Sequence, residues 1–123
     1  MSAAILVKRI YDPLSHIDGT RILVDRLWPR GIKKLDAHIE QWMRNLGPSD
    51  ELRKYFSHDP VRWQEFRRRY LTELKSPQAA PLLDELVKIA RNGTLTLVYS
   101  AKDQQHNQAI VIRELIDRKL RPT

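Results

Sequence analysis

The chain has 123 residues, a length that one hydrophobic core commonly serves, so a second independent domain is not expected. Hydrophobic residues make up 41% of it and charged residues 30%, enough apolar surface to offset chain entropy, which excludes a disordered tail. There is no cysteine, which removes disulfides, thiolate metal sites and thiol nucleophiles; 22 Lys and Arg against 15 Asp and Glu leave a formal charge of +7 that favours encounters with phosphate-bearing partners.

The first apolar run, residues 4–10, is short and rich in branched side chains, which predicts a strand stopped by Tyr11-Asp12-Pro13. A second strand is expected over residues 20–27, where Ile22, Leu23 and Val24 form a continuous apolar centre. About ten residues separate the two, fewer than a helical crossover usually needs, so the pair reads as an antiparallel hairpin or wide loop turning at Gly19. Pro29 and Gly31 end the second strand. Asp36 is then placed to cap a helix carrying Ile39, Trp42, Met43 and Leu46 at spacings of three and four, broken by Gly47-Pro48. Ser49 caps a short helix with Leu52, Tyr55 and Phe56. Asp59-Pro60 starts another, whose Trp63, Phe66, Tyr70 and Leu74 share one face. Pro81 opens a helix with an apolar stripe of Leu82, Leu83, Leu86, Val87 and Ala90, ended by Asn92-Gly93. A third strand, residues 94–99, alternates Leu95, Leu97 and Tyr99 with other residues and hands over to a terminal helix capped by Asp103. The expected fold is a small single α/β domain, residues 1–123, with about three strands in a mixed sheet covered by several helices.

Two stretches carry polar chemistry. Val24-Asp25-Arg26-Leu27-Trp28-Pro29-Arg30-Gly31 sets a carboxylate and a guanidinium at the carboxyl end of a buried strand, followed by a proline-fixed turn with a second arginine. In open α/β sheets the crevice lies beyond such ends. Arg26 and Arg30 suit a phosphate or carboxylate, and Asp25 can orient one of them or act as a base; an internal pair of Asp25 with an arginine reads equally well. Tyr99-Ser100-Ala101-Lys102-Asp103, with His106 and Asn107, is the second stretch. There Lys102, the Ser100 hydroxyl and amides at a helix start can receive an anion, although an ordinary Asp-capped helix gives the same letters.

His58, just before Asp59-Pro60, is a candidate proton carrier, while His16, His38 and His106 have weaker claims. No histidine or carboxylate spacing matches a metal motif. Arg67-Arg68-Arg69 invites a nucleic-acid reading, yet consecutive helical residues point about 100 degrees apart, so a solvated charged face with an aromatic core face is preferred. The longest apolar stretch, residues 3–7, is far below the roughly 20 residues of a membrane span and lacks a signal-peptide layout. A cytoplasmic protein, without membrane contact, is expected.

Taken together, Arg9-Ile10-Tyr11-Asp12, the string from Arg21 to Gly31, Pro48-Ser49 with Leu52-Arg53, His58-Asp59 with Trp63, Phe66 and Tyr70, and Thr96-Leu97 through Tyr99 with Asn107 and Ala109 resemble the YeaO-like family of small prokaryotic domains of unknown function. The resemblance spans nearly the whole chain and implies a recurring pattern of Arg9, Tyr11, Asp25, Arg26, Trp28, Arg30, His58, Tyr99 and Asn107, without an assigned activity. More distant relatives carry a Cys-His-Arg cluster after the last strand, where this chain reads His106-Asn107-Gln108, so thiol-dependent chemistry does not carry over. The leading expectation is one polar pocket at the carboxyl ends of the second and third strands for a phosphate-bearing small molecule or nucleotide, with hydrolysis or proton transfer as its chemistry. Arg26, Arg30 and Lys102 would bind charge, Asp25 or His58 would handle a proton, and Ser100 and Asn107 would orient the ligand, with Arg9, Tyr11 and Tyr99 added to the ligand set by the resemblance. No cofactor is expected. A non-enzymatic nucleic-acid binder and a protein-interaction module are the competing classes.

Overall fold

A computed structural model describes residues 5–121, so Ala4 of the first apolar run lies outside the described residues. Strands β1 (Ile5–Arg9), β2 (Thr20–Leu23), β3 (Gln41–Trp42) and β4 (Leu95–Tyr99) form one four-stranded sheet in the order β1-β4-β2-β3. All pairings are parallel. This corrects the expectation of about three strands in a mixed sheet: β1 and β2 do not pair, because β4 lies between them. All five residues of β4 are buried, so it fills the centre, where both faces are covered, rather than offering one face to water.

The hairpin reading failed on distance. Returning along a five-residue strand takes about 17 Å and crossing two strand spacings about 10 Å, whereas ten extended residues reach about 33 Å. Residues 10–19 therefore cross over with only a single 3-10 turn, His16–Asp18. That crossing is pinned by buried Asp18. Lys8 of β1 donates to both its carboxylate oxygens at 3.0 Å and Arg21 of β2 to one at 2.7 Å, while Thr96 of β4 donates to its carbonyl at 2.7 Å. Burial works to raise the Asp18 pKa, but hydrogen bonds from Lys8, the Ser15 amide and Arg21 outweigh it and hold the carboxyl below its ordinary range. Gly19 follows with φ +62, and a Cβ there would collide with the Thr94 carbonyl, so the turn into β2 requires glycine.

The helices are α1 (Lys34–Ala37), α2 (Asp50–Phe56), α3 (Trp63–Glu73), α4 (Ala80–Asn92) and α5 (Gln108–Leu120). Ser49 caps α2 by accepting from the Leu52 amide, and an Asp59-capped turn, Pro60–Arg62, leads into α3 as its sequence indicates. The helix expected from Asp36 to Leu46 is absent. One turn of α1 ends at His38 with φ 52, β3 then joins β2, and a 3-10 turn spans Arg44–Leu46. Strand alternation sends Trp42 to one side of the sheet and Met43 to the other. Met43 and Leu46 enter the main core with residues of α2 to α5, whereas Ile39 and Trp42 join Trp28 and Ile32 around Ile10, Leu23, Ala37 and Val98. Helices thus cover one face, and the segment around α1 thinly covers the other. None of the described helices is long and apolar enough to cross a membrane.

Candidate functional site

Because β2 and β4 run parallel, their carboxyl ends open in the same direction, and a cleft of about 940 Å³ lies beyond them. Asp25, Arg26 and Arg30 line it from the β2 side, Ser100, Lys102 and Asn107 from the β4 side, and His58 from the end of α2. Seven of the sequence-selected residues therefore meet around one hollow. Its volume is in the range that holds a small ligand.

At the floor, Asp25 is only 6% exposed and accepts a hydrogen bond from the Gln108 carboxamide. It makes no ion pair among the described residues. Burial pushes its carboxyl pKa up, and the Ser100 hydroxyl and amide with Gln108 offset part of that rise. Asn107 is buried as the N-cap of α5, its Oδ1 accepting from the Ile110 amide at 3.2 Å and its Nδ2 donating to the Asp103 carbonyl at 3.0 Å. Asp103 caps a turn in the eight residues 100–107 instead of the helix itself, so the expected direct handover from strand to helix is replaced by a loop that widens the cleft.

The arginines divide by what they already hold. Arg26 donates from Nη2 to the Gly47 carbonyl at 2.9 Å and from Nε to the Pro48 carbonyl at 3.3 Å, and Gly47 is needed because a Cβ there would strike the Arg26 backbone. Arg9 donates to the carbonyls of Ala101 at 2.8 Å and Ser100 at 3.1 Å. It holds the loop from outside the cleft. Tyr11 donates to the Arg30 carbonyl at 2.8 Å, fixing that turn, and Tyr99 is buried, its phenol pKa raised chiefly by burial. Arg9, Tyr11 and Tyr99 do not line the hollow. In contrast, Arg30 and Lys102 are exposed and make no side-chain hydrogen bond or ion pair among the described residues.

Three further lining residues, Arg53, Lys54 and Gln108, carried no site expectation, and His106 carried only a weak one. Lys54, exposed and also unpaired among the described residues, and Arg53, whose Nη2 meets Asp50 at 2.8 Å, project from α2; a short helix capped by Ser49 gave no sign of which way its charges point. His106 holds its Nδ1 2.9 Å from Asp103 Oδ2 and sets its ring edge-on to Trp63, with centroids 5.3 Å apart. The spacing of Asp103 and His106 by three was the available signal. The Gln105 amide first, then His106, hold the Asp103 carboxyl below its usual range. Gln108 was hidden because its partner Asp25 lies 83 positions away. On the opposite wall, Ser57 and His58 are successive left-handed residues with φ 47 and 56, a strained pair at the cleft edge.

The run Arg67-Arg68-Arg69 lies away from this hollow and is occupied by acids. Arg67 pairs with Glu114 at 2.8 Å, while Arg68 and Arg69 share Glu65 at 2.6 and 2.7 Å, which draws the Glu65 carboxyl down to about 2.

Residues 4–123 match the family model described as the inactive DUF488-N3 subclade. The chain belongs to this family. Among members of the same YeaO-like group, uncharacterised YeaO of Escherichia coli K12 is 47% identical over 107 residues, covering 87% of this chain and 91% of that protein. The uncharacterised proteins Mb3100c of Mycobacterium bovis and Rv3073c of Mycobacterium tuberculosis are each 37% identical over 111 residues, covering 90% of this chain and 92% of theirs. No solved structure matches the DUF488-N3 chain.

Proposed function

We propose that the cleft binds a phosphate-bearing small molecule, held by Arg30, Lys54 and Lys102. The observation that carries this reading is that three exposed cations without internal partners among the described residues surround one hollow, while Arg9 and Arg26 are spent on shaping it. Cations paired internally would have little left for a ligand; unpaired ones lose less on binding phosphate. The wording of the family description and the lack of a cysteine favour binding over thiol-based turnover. Any proton transfer would draw on His106, whose Nδ1 contact with Asp103 leaves Nε2 as its remaining ring nitrogen, or on Asp25 and His58.

Thermal unfolding with inorganic phosphate and with phosphate monoesters tests the proposal. A ligand at 100 times its Kd stabilises by about 2.7 kcal/mol, which for this size raises Tm by roughly 10 °C. Arg30→Ala and Lys102→Ala should each reduce that rise at fixed ligand concentration. Melting curves unmoved by every phosphate compound would refute it. The nucleic-acid reading predicts salt-sensitive retention of RNA or DNA that Arg68→Ala weakens; the ion pairs at Glu65 and Glu114 count against it.

A further inference from the structure

The cleft is not uniformly basic. Its unpaired cations are exposed at the rim, but its floor holds a buried carboxyl whose hydrogen-bond partners are the Gln108 carboxamide and Ser100, with no cation among them. A phosphate pressed onto that floor would place two like charges together away from water, so the phosphate belongs at the rim. The floor then suits a neutral group that donates hydrogen bonds, which Asp25 accepts and Gln108 can complement. A phosphate alone also leaves most of about 940 Å³ unfilled. Part of the lining is apolar: Leu27, 53% exposed, and Pro48, with Phe56 and Phe66, which belong to the core at 6% and 2% exposure and stack with centroids 4.4 Å apart. Leu27, the exposed apolar member of that lining, offers surface that a flat apolar group would bury.

Resting on the phosphate reading above, we propose that the cleft takes a nucleoside monophosphate, with its phosphate on Arg30 and Lys102, its base against the Leu27 and Phe56 wall, and an amino-bearing edge of that base on Asp25 and Gln108. This makes Asp25 a specificity residue, reading the ligand instead of neutralising an arginine.

Isothermal titration of the full chain with inorganic phosphate, ribose 5-phosphate, AMP, GMP, CMP and UMP decides the matter. At least one amino-bearing nucleotide is expected to bind tenfold or more tightly than ribose 5-phosphate, and UMP, which lacks the exocyclic amine, more weakly than that nucleotide. Asp25→Asn should erase the advantage over ribose 5-phosphate. Leu27→Asp, an exposed substitution that leaves the core intact, should erase it as well and covers the case in which the Asp25 variant fails to fold. Equal affinity for ribose 5-phosphate and all four nucleotides overturns this inference while leaving the phosphate reading in place. Binding of none of the six removes both.

Discussion

A carboxyl group buried without a cation, as Asp25 is, is less stable ionised in the folded chain than in the unfolded one. Its folded pKa is raised, so whatever stability it lends is present at low pH and is lost as pH rises through the folded value. Asp25→Asn should therefore raise the Tm of the ligand-free protein at neutral pH, with the gain shrinking as the pH is lowered toward the ordinary carboxyl range. Melting curves of both proteins at pH 7 and pH 4 measure this. A loss of stability in the variant at pH 7 would mean that the ionised carboxylate is an internal structural partner. Sequence letters alone left Asp25 balanced between ligand and internal pair, because its surroundings are decided by Gln108 and Ser100, far along the chain. Arg26 and Arg30 looked alike for the same reason. The Gly47 and Pro48 carbonyls that capture Arg26, and the open space around Arg30, arise only once the segment after β3 is folded.

Secondary elements were legible wherever local chemistry and tertiary packing agreed. α2, α3 and α4 begin at their Ser49, Asp59-Pro60 and Pro81 signals, and the Phe66, Tyr70 and Leu74 stripe of α3 and its extension is buried as its period requires. Between Asp36 and Leu46 they disagreed. Apolar residues at helical spacing there serve two different cores, and pairing of β3 with β2 prevailed over local helix formation. At the junction of α2 and α3, the left-handed Ser57 and His58 cost roughly 1 kcal/mol each relative to glycine. His58→Gly should raise stability by up to about 0.5 kcal/mol after the entropy of the more flexible unfolded chain is subtracted, readable as a higher urea midpoint. A drop in that midpoint would show that the imidazole, which lies 6.3 Å from the Phe56 ring, contributes more than the strain removes.

At the scale of the molecule, the α/β class was readable and the strand order was not. Neither β1 nor β2 carries a mark saying that its neighbour comes some seventy residues or more later, and the alternation read in residues 94–99 gave no sign that this strand is buried on both faces at the centre. The cleft inherits this arrangement, since it exists only because β2 and β4 end side by side.

Residues 95–99 are the keystone through which β1 connects to β2, and they are synthesised after three quarters of the chain. During translation β1 has no partner and β2 only the two-residue β3, so the sheet closes only when this late segment leaves the ribosome. Nascent chains arrested before residue 95 should remain sensitive to protease, and those arrested with α5 fully emerged should resist it. In a protein built in this way Ile22, Leu23 and Val24, buried in the finished fold, wait uncovered for most of its own synthesis.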